Sequence, residues 1–224
     1  MRPTQIVKIM TDILMTVILL LLMAYSLVGE TVHEWLGIGM FVLFILHHIL
    51  NRRWSQNLLN GKYTPYRILQ AALVFLVLIS MLGSMVSGII LSRHVLVFLH
   101  ISGGQFWART AHMLCGYWGF VLMSLHLGLH WNTMLAMAGK MVKKPSVQHA
   151  WALRIAGCMI AAYGAYAFVR RGLGRYMTLR DQFVFFDFSE PLILFLLDYI
   201  AIMGLFVFIG HYLVKVLTRF KITS

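Results

Sequence analysis

The sequence predicts an all-α fold: a polytopic membrane bundle of six transmembrane helices, organised as a single domain over residues 1–224. Three observations carry this. The chain has 224 residues, of which 60% are hydrophobic and only 12% charged, whereas a soluble domain is nearer half apolar and about a quarter charged. Its mean hydropathy is +0.81. The seven acids and nineteen bases cluster between long apolar runs instead of alternating along them.

Each run is expected to form a helix, because isolated strands cannot satisfy their backbone groups in lipid. The first, Ile13–Leu27, follows Arg2 and Lys8 and has the outline of a secretory leader. Ala24-Tyr25-Ser26 is only a faint cleavage site, however, and Asp12 interrupts the stretch early, so a retained helix is expected. The second run is Trp35–Leu50, and the third, Ile68–Leu91, carries no charge. The fourth is Ala111–Leu135. The fifth, Ile155–Val169, is short between Arg154 and Arg170, whose long side chains can snorkel to the surface. The last, Pro191–Val214, holds one acid, Asp198. A span needs roughly 20 apolar residues, which runs three, four and six meet directly and runs one and two meet with their uncharged or His-bearing flanks.

Basic residues set the expected orientation. The connection over residues 29–33 has none and carries Glu30. The next has Arg52, Arg53, Lys62 and Arg67; the third only Arg93 and Arg109; the fourth Lys140, Lys143, Lys144 and Arg154; the tail Lys215, Arg219 and Lys221. Both termini are therefore expected in the cytoplasm, the chain being a multi-pass membrane protein. The fifth connection breaks the rule with Arg170, Arg171, Arg175 and Arg180, offset in part by Asp181, Asp187 and Glu190. The net charge of +12 then reflects topology and attraction to anionic lipid, not nucleic-acid binding. The two cysteines, Cys115 and Cys158, fall inside predicted helices and are expected as small buried residues. No Cys-x-x-Cys-His occurs, which excludes covalent c-type haem attachment.

The informative feature is a repeat. Residues 33–50 and 112–129 align at a shift of 79 with eight of eighteen positions identical, including His33/His112, Gly37/Gly116 and His47/His126. The shared pattern is His-x3-Gly-x9-His. One helix separates the copies, so the two run in the same direction and their histidines fall at matching depths. Fourteen residues bring a helix within about 40° of whole turns and about 21 Å along its axis, so both histidines of each copy share a face. Opposed faces would build two stacked His–His sites, one near each membrane surface.

Polar residues in lipid are expensive and are functional candidates by default. A haem b iron takes an imidazole from each side of its plane, and Gly37 and Gly116, one turn past the outer histidines on the same face, leave room for a porphyrin edge. Two haem b groups held by His33 with His112 and by His47 with His126 are expected on the second and fourth helices, and with both axial positions filled, oxygen activation is not. Histidines bonded to neighbouring backbone, a non-haem metal transporter and a proton path are the competing readings. A zinc or iron site would want carboxylates or thiolates closing a compact shell.

The stretches HEWLG…LHHILNRRW and HLGLHW resemble the flavinylation-associated cytochromes, small dihaem membrane proteins of bacteria, and more distantly respiratory cytochrome b and the ferric reductase group. The specific match covers about residues 33–54 and 109–131, and FVFFDFSEPL before the last helix has the same look. The resemblance implies electron transfer from the cytoplasmic side or the quinol pool to an extracytoplasmic flavinylated, FMN-carrying protein. A membrane-anchor cytochrome b delivering electrons to quinone is the alternative. No Gly-x-Gly-x-x-Gly occurs, and no stretch is left for a soluble flavin-bearing domain, so flavin is expected on a partner. The extra helices of a full respiratory cytochrome b are also missing, which argues against a quinone site of that type.

Other residues remain as candidates. His48, about 100° round the helix from His47, is an alternative ligand, but the repeat sets Leu127 against it and favours His47. His130, one turn beyond His126, is a second alternative, or a propionate or surface contact. Arg109 at one edge, and Arg52 and Arg53 at the other, suit propionates. His94, His100, His149 and His211 have no partner in the pattern. Ser80, Gly83, Ser84, Ser87 and Gly88 read as a helix-packing stripe. Asp12 and Asp198 are intramembrane acids able to take quinol protons, Asp198 the better placed.

Overall fold

The computed structural model describes residues 3–58, 60, 63–139, 147–185 and 187–219. Lys62, Lys140, Lys143, Lys144, Lys221 and the side chain of His149 lie outside the described residues, as does Phe186 of the FVFFDFSEPL stretch. Every described element is helical: α1 (Pro3–Met23), α2 (Tyr25–Val28), α3 (Glu30–Leu50), α4 (Arg52–Gln56), α5 (Pro65–Leu91), a 3-10 turn at Val97–Leu99, α6 (Gln105–Leu129), α7 (Trp131–Gly139), α8 (Val147–Arg170), α9 (Leu173–Met177) and α10 (Leu192–Arg219). Six of them, α1, α3, α5, α6, α8 and α10, are long and apolar enough to cross a membrane.

The helices differ from the apolar runs at their ends, for identifiable reasons. α1 starts ten residues before the run and stops at Met23, where Ala24 leaves the helical path; Gly29, at φ +88°, then turns the chain into α3. That backbone conformation favours glycine. α5 opens with Thr64 accepting a hydrogen bond from the Arg67 amide (3.3 Å) and with Pro65 at its first position. The fourth run is cut at Leu129: His130 ends α6, and α7 leaves in a new helix. The fifth run lengthens to a helix of 24 residues that takes in Arg154 and Arg170.

The packing divides the bundle into a slab and a leaf. α6 packs on α5 and α10, and α10 packs on α8, while α1 and α3 pack mainly on each other. Glycines bring the slab helices into backbone contact. A Cβ on Gly128 would lie 2.5 Å from the Val207 carbonyl oxygen, and one on Gly210 2.7 Å from that of Leu125. One on Gly83 would meet Cys115 Sγ at 2.5 Å. Phe120 and Ile202 are fully buried between these helices. Cys115 is half-buried, but Cys158 is exposed, contrary to the expectation of a buried residue: its helix packs mainly on α10, and Cys158 lies off that contact face.

Two ends of the bundle can be told apart. At one, the terminus end, where α1 begins and α10 finishes, Lys8 Nζ on α1 donates to Asn51 Oδ1 at the end of α3 (3.1 Å). At the other, the loop end, the α5–α6 and α8–α10 connections gather. There Arg171 donates to both Glu190 oxygens and through Nε to Asp198 Oδ2 (2.7 Å), Tyr163 donates to Asp198 Oδ1 (2.6 Å), and Arg175 pairs with Asp181 (2.8 Å). The Glu190 and Asp198 contacts hold Arg171 above the usual arginine range. This explains the surplus of arginines in the fifth connection, where Arg171 and Arg175 are neutralised within the fold. Asp198, the intramembrane acid of the last helix, has a side chain 4% exposed and pairs with Arg171, Arg170 and Tyr163.

Candidate paired-histidine sites

The two copies of the repeat fall on α3, in the leaf, and α6, in the slab, and they meet across the boundary. At the loop end the His33 and His112 rings lie with centroids 6.0 Å apart at 71°. An imidazole nitrogen binds a metal at about 2 Å, so two rings sharing one ion have centroids about 6 Å apart. His112 is held from behind by α5: its Nδ1 lies 3.0 Å from the Ser84 carbonyl oxygen and 3.1 Å from Ser87 Oγ. A carbonyl only accepts, so the network assigns the proton to Nδ1 and leaves the Nε2 lone pair unprotonated. Gly88 lies beside this ring, a Cβ there falling 3.4 Å from His112 Cε1. The small-residue stripe of α5 thus packs α6 and also orients a candidate ligand, a role that its composition alone does not reveal. His33 Nδ1 is buried without a hydrogen-bond partner, and its ring takes an edge contact from Tyr25 at 5.0 Å.

At the terminus end His47 Nδ1 lies 2.8 Å from Asp12 Oδ1 on α1. An ionised carboxylate likewise only accepts, so Nε2 again keeps its lone pair; the Asn51 amide approaches that atom only at 3.5 Å, the outer limit of a hydrogen bond. His47, Asp12, His126 and His130 lie within electrostatic range of one another. His126 Nδ1 is buried without a partner, and the His130 ring sits 4.9 Å from it. His48 turns elsewhere, its Nδ1 on the Phe44 carbonyl of its own helix (2.9 Å) and its ring 4.3 Å from the Phe44 ring.

Between the pairs, Gly37 and Gly116 face open space, with nothing within 4 Å of a Cβ built on either. Arg109, Arg52 and Arg53 are exposed at the two ends. His94 is exposed but not merely solvated, since its Nε2 lies 3.4 Å from Glu30 Oε2; His100 is exposed, its Nδ1 on the Phe98 carbonyl (2.7 Å). His211 is buried on α10 with Nδ1 unpartnered. Among the described residues no group of three or more His, Cys, Asp or Glu side chains is gathered closely enough to hold a metal ion.

One contact set went unnoticed in the sequence. Glu34, beside His33, accepts from Ser92 Oγ (2.7 Å) and from the amides of Arg93 (2.7 Å), His94 (3.1 Å) and Val95 (2.8 Å). It ties the leaf to the loop that leaves α5. Tyr25, which donates to Glu30 Oε1 (2.7 Å), has its phenol pushed up to about 12 by burial and by that carboxylate. No protein-family model, curated protein or solved structure matches the chain.

Proposed function

We propose that the protein is a transmembrane electron conduit that holds two haem b groups between α3 and α6, with His33 and His112 ligating one and His47 and His126 the other. The observation that carries this is the pairing itself. Histidines from the two repeat copies face each other 6.0 Å apart at the loop end and lie within electrostatic range at the terminus end. The residues fit the group in three respects. Each site offers one imidazole from each repeat copy, which suits a macrocycle that supplies its own equatorial donors; at the terminus end His130 and Asp12 stand beside the pair. In each pair one imidazole is fixed from behind with Nε2 unprotonated, and the other has its Nδ1 buried without a partner, the His33 ring also meeting the Leu22 backbone. Gly37 and Gly116 open the space beside them.

When bound, each haem supplies a one-electron couple; the chain supplies placement. α5 orients His112, α1 orients His47, and the Gly128–Gly210 contact fixes the height of α6 in the slab. Arg109 at one end and Arg52 and Arg53 at the other are the cations available to propionates. On this reading the termini are cytoplasmic in a bacterial membrane, and electrons pass from the cytoplasmic side or the quinol pool to an extracytoplasmic flavinylated protein. The resemblance of the two His-bearing stretches to flavinylation-associated cytochromes supports that choice of partner. A reduced-minus-oxidised spectrum and a pyridine haemochrome assay of the purified protein test it. The expected result is two haem b per chain, and a protein that never carries haem would sink the reading.

A further inference from the structure

Among the described residues no carboxylate hydrogen-bonds an imidazole of the loop-end pair as Asp12 does His47; Glu34 acts on His33 only through space. There the fixed imidazole, His112, leans on a carbonyl and a hydroxyl, both uncharged. At the terminus end the fixed imidazole leans on a carboxylate 2.8 Å away, across the α1–α3 interface. A carboxylate in intramembrane sequence is costly unless it is partnered and is a functional candidate for that reason. Lys8, one turn earlier on α1, is not that partner in the structure: its ammonium goes to Asn51 Oδ1 (3.1 Å), whose amide in turn donates to the His47 carbonyl (2.9 Å). The polar chain Lys8–Asn51 therefore anchors the end of α3 and leaves Asp12 to the His47 ring. The next residue, His48, makes no such contact and is turned back on Phe44.

We propose that Asp12 is a positioning residue that selects His47 over His48 as the terminus-end ligand and makes that site the lower in potential of the two. This rests on the dihaem reading. The physical basis is the pattern by which an outer carboxylate accepts the second ring N–H of a metal-bound histidine. It fixes tautomer and ring orientation and makes the imidazole a more basic donor, which stabilises the more positive state of the metal. A charge-assisted hydrogen bond does this more strongly than a neutral one, so the two ends differ in a predictable order. The ordering favours residence of an electron at the loop end, the side on which the flavoprotein partner is expected.

The test is a spectroelectrochemical titration of the purified full-length holoprotein, with haem content measured alongside. The wild type should show two components. Asp12→Asn should raise the lower potential and leave the higher one in place; if it instead loses one haem, Asp12→Glu, which restores the carboxylate, should retain both. Ser87→Ala should act only on the higher component. Two haems with unchanged potentials in Asp12→Asn would overturn the inference and leave the dihaem reading standing, as would movement of the higher component instead. Absence of haem from the wild type would overturn the dihaem reading itself.

Discussion

The two ends of the bundle use the same His-x3-Gly-x9-His template and support it differently. At the loop end the oriented imidazole belongs to α6 and is backed by a neighbouring slab helix, α5, through Ser84 and Ser87. At the terminus end it belongs to α3 and is backed by a leaf helix, α1, through Asp12. In each pair the opposite ring has its Nδ1 buried and unpartnered. A duplicated motif therefore fixes what the two sites are made of, while the helix that happens to pack behind each fixes how they differ. That lesson is specific: if the paired histidines hold haem as proposed, the two sites should not titrate identically.

The broadest way to break the comparison is to remove the framework common to both ends. Gly128→Val forces a side chain into the Val207 carbonyl, and we expect loss of monodisperse protein and of both haems, read by size-exclusion chromatography with haem absorbance. Next come the ligands. His112→Ala and His126→Ala should each leave about half the haem per chain, with a different spectral component lost in each; loss of the same component from both would show that the ends are not separate sites. Arg171→Ala removes the partner of a buried carboxylate, which costs about 3 kcal/mol or more. It should lower the thermal midpoint in detergent while leaving the ratio of the two haem components unchanged. Ser87→Ala removes one neutral hydrogen bond, worth about 1 kcal/mol, and should perturb only the component lost in His112→Ala. The smallest effect is expected from His48→Ala, with both components and haem content preserved.

Much of this was legible in the sequence because hydropathy and helical period act within one segment. The six spans, the equal depth of the paired histidines and the clearance at Gly37 and Gly116 all follow from spacing along single helices. What spacing does not carry is the neighbour relation. Asp12 stood out as an acid in lipid, but nothing in its own helix says that α1 lies behind His47 and not behind another helix. Ser84 and Ser87 read as packing residues, which they are, and their hold on His112 depends on the rotation of α5 against α6. The arginines of the fifth connection are a related case: a count of bases does not register that Glu190 and Asp198 fold back onto Arg171. The break at His130 was hidden because Trp131–Leu135 continues the apolar run without a proline or a charge to mark the end.

Glu34 gives the architecture one further consequence. The leaf carries His33, His47 and Asp12, and the slab carries His112, His126 and His130, so the alignment of both pairs depends on how the two bodies are latched. At the loop end that latch is one carboxylate gathering a hydroxyl and three successive amides of the chain leaving α5, with Glu30 and His94 beside it. A rigid helix transmits displacement along its whole length. A leaf loosened at Glu34 would therefore shift His47 as well as His33, 14 residues away, so one loop-end latch bears on the register of both histidine pairs.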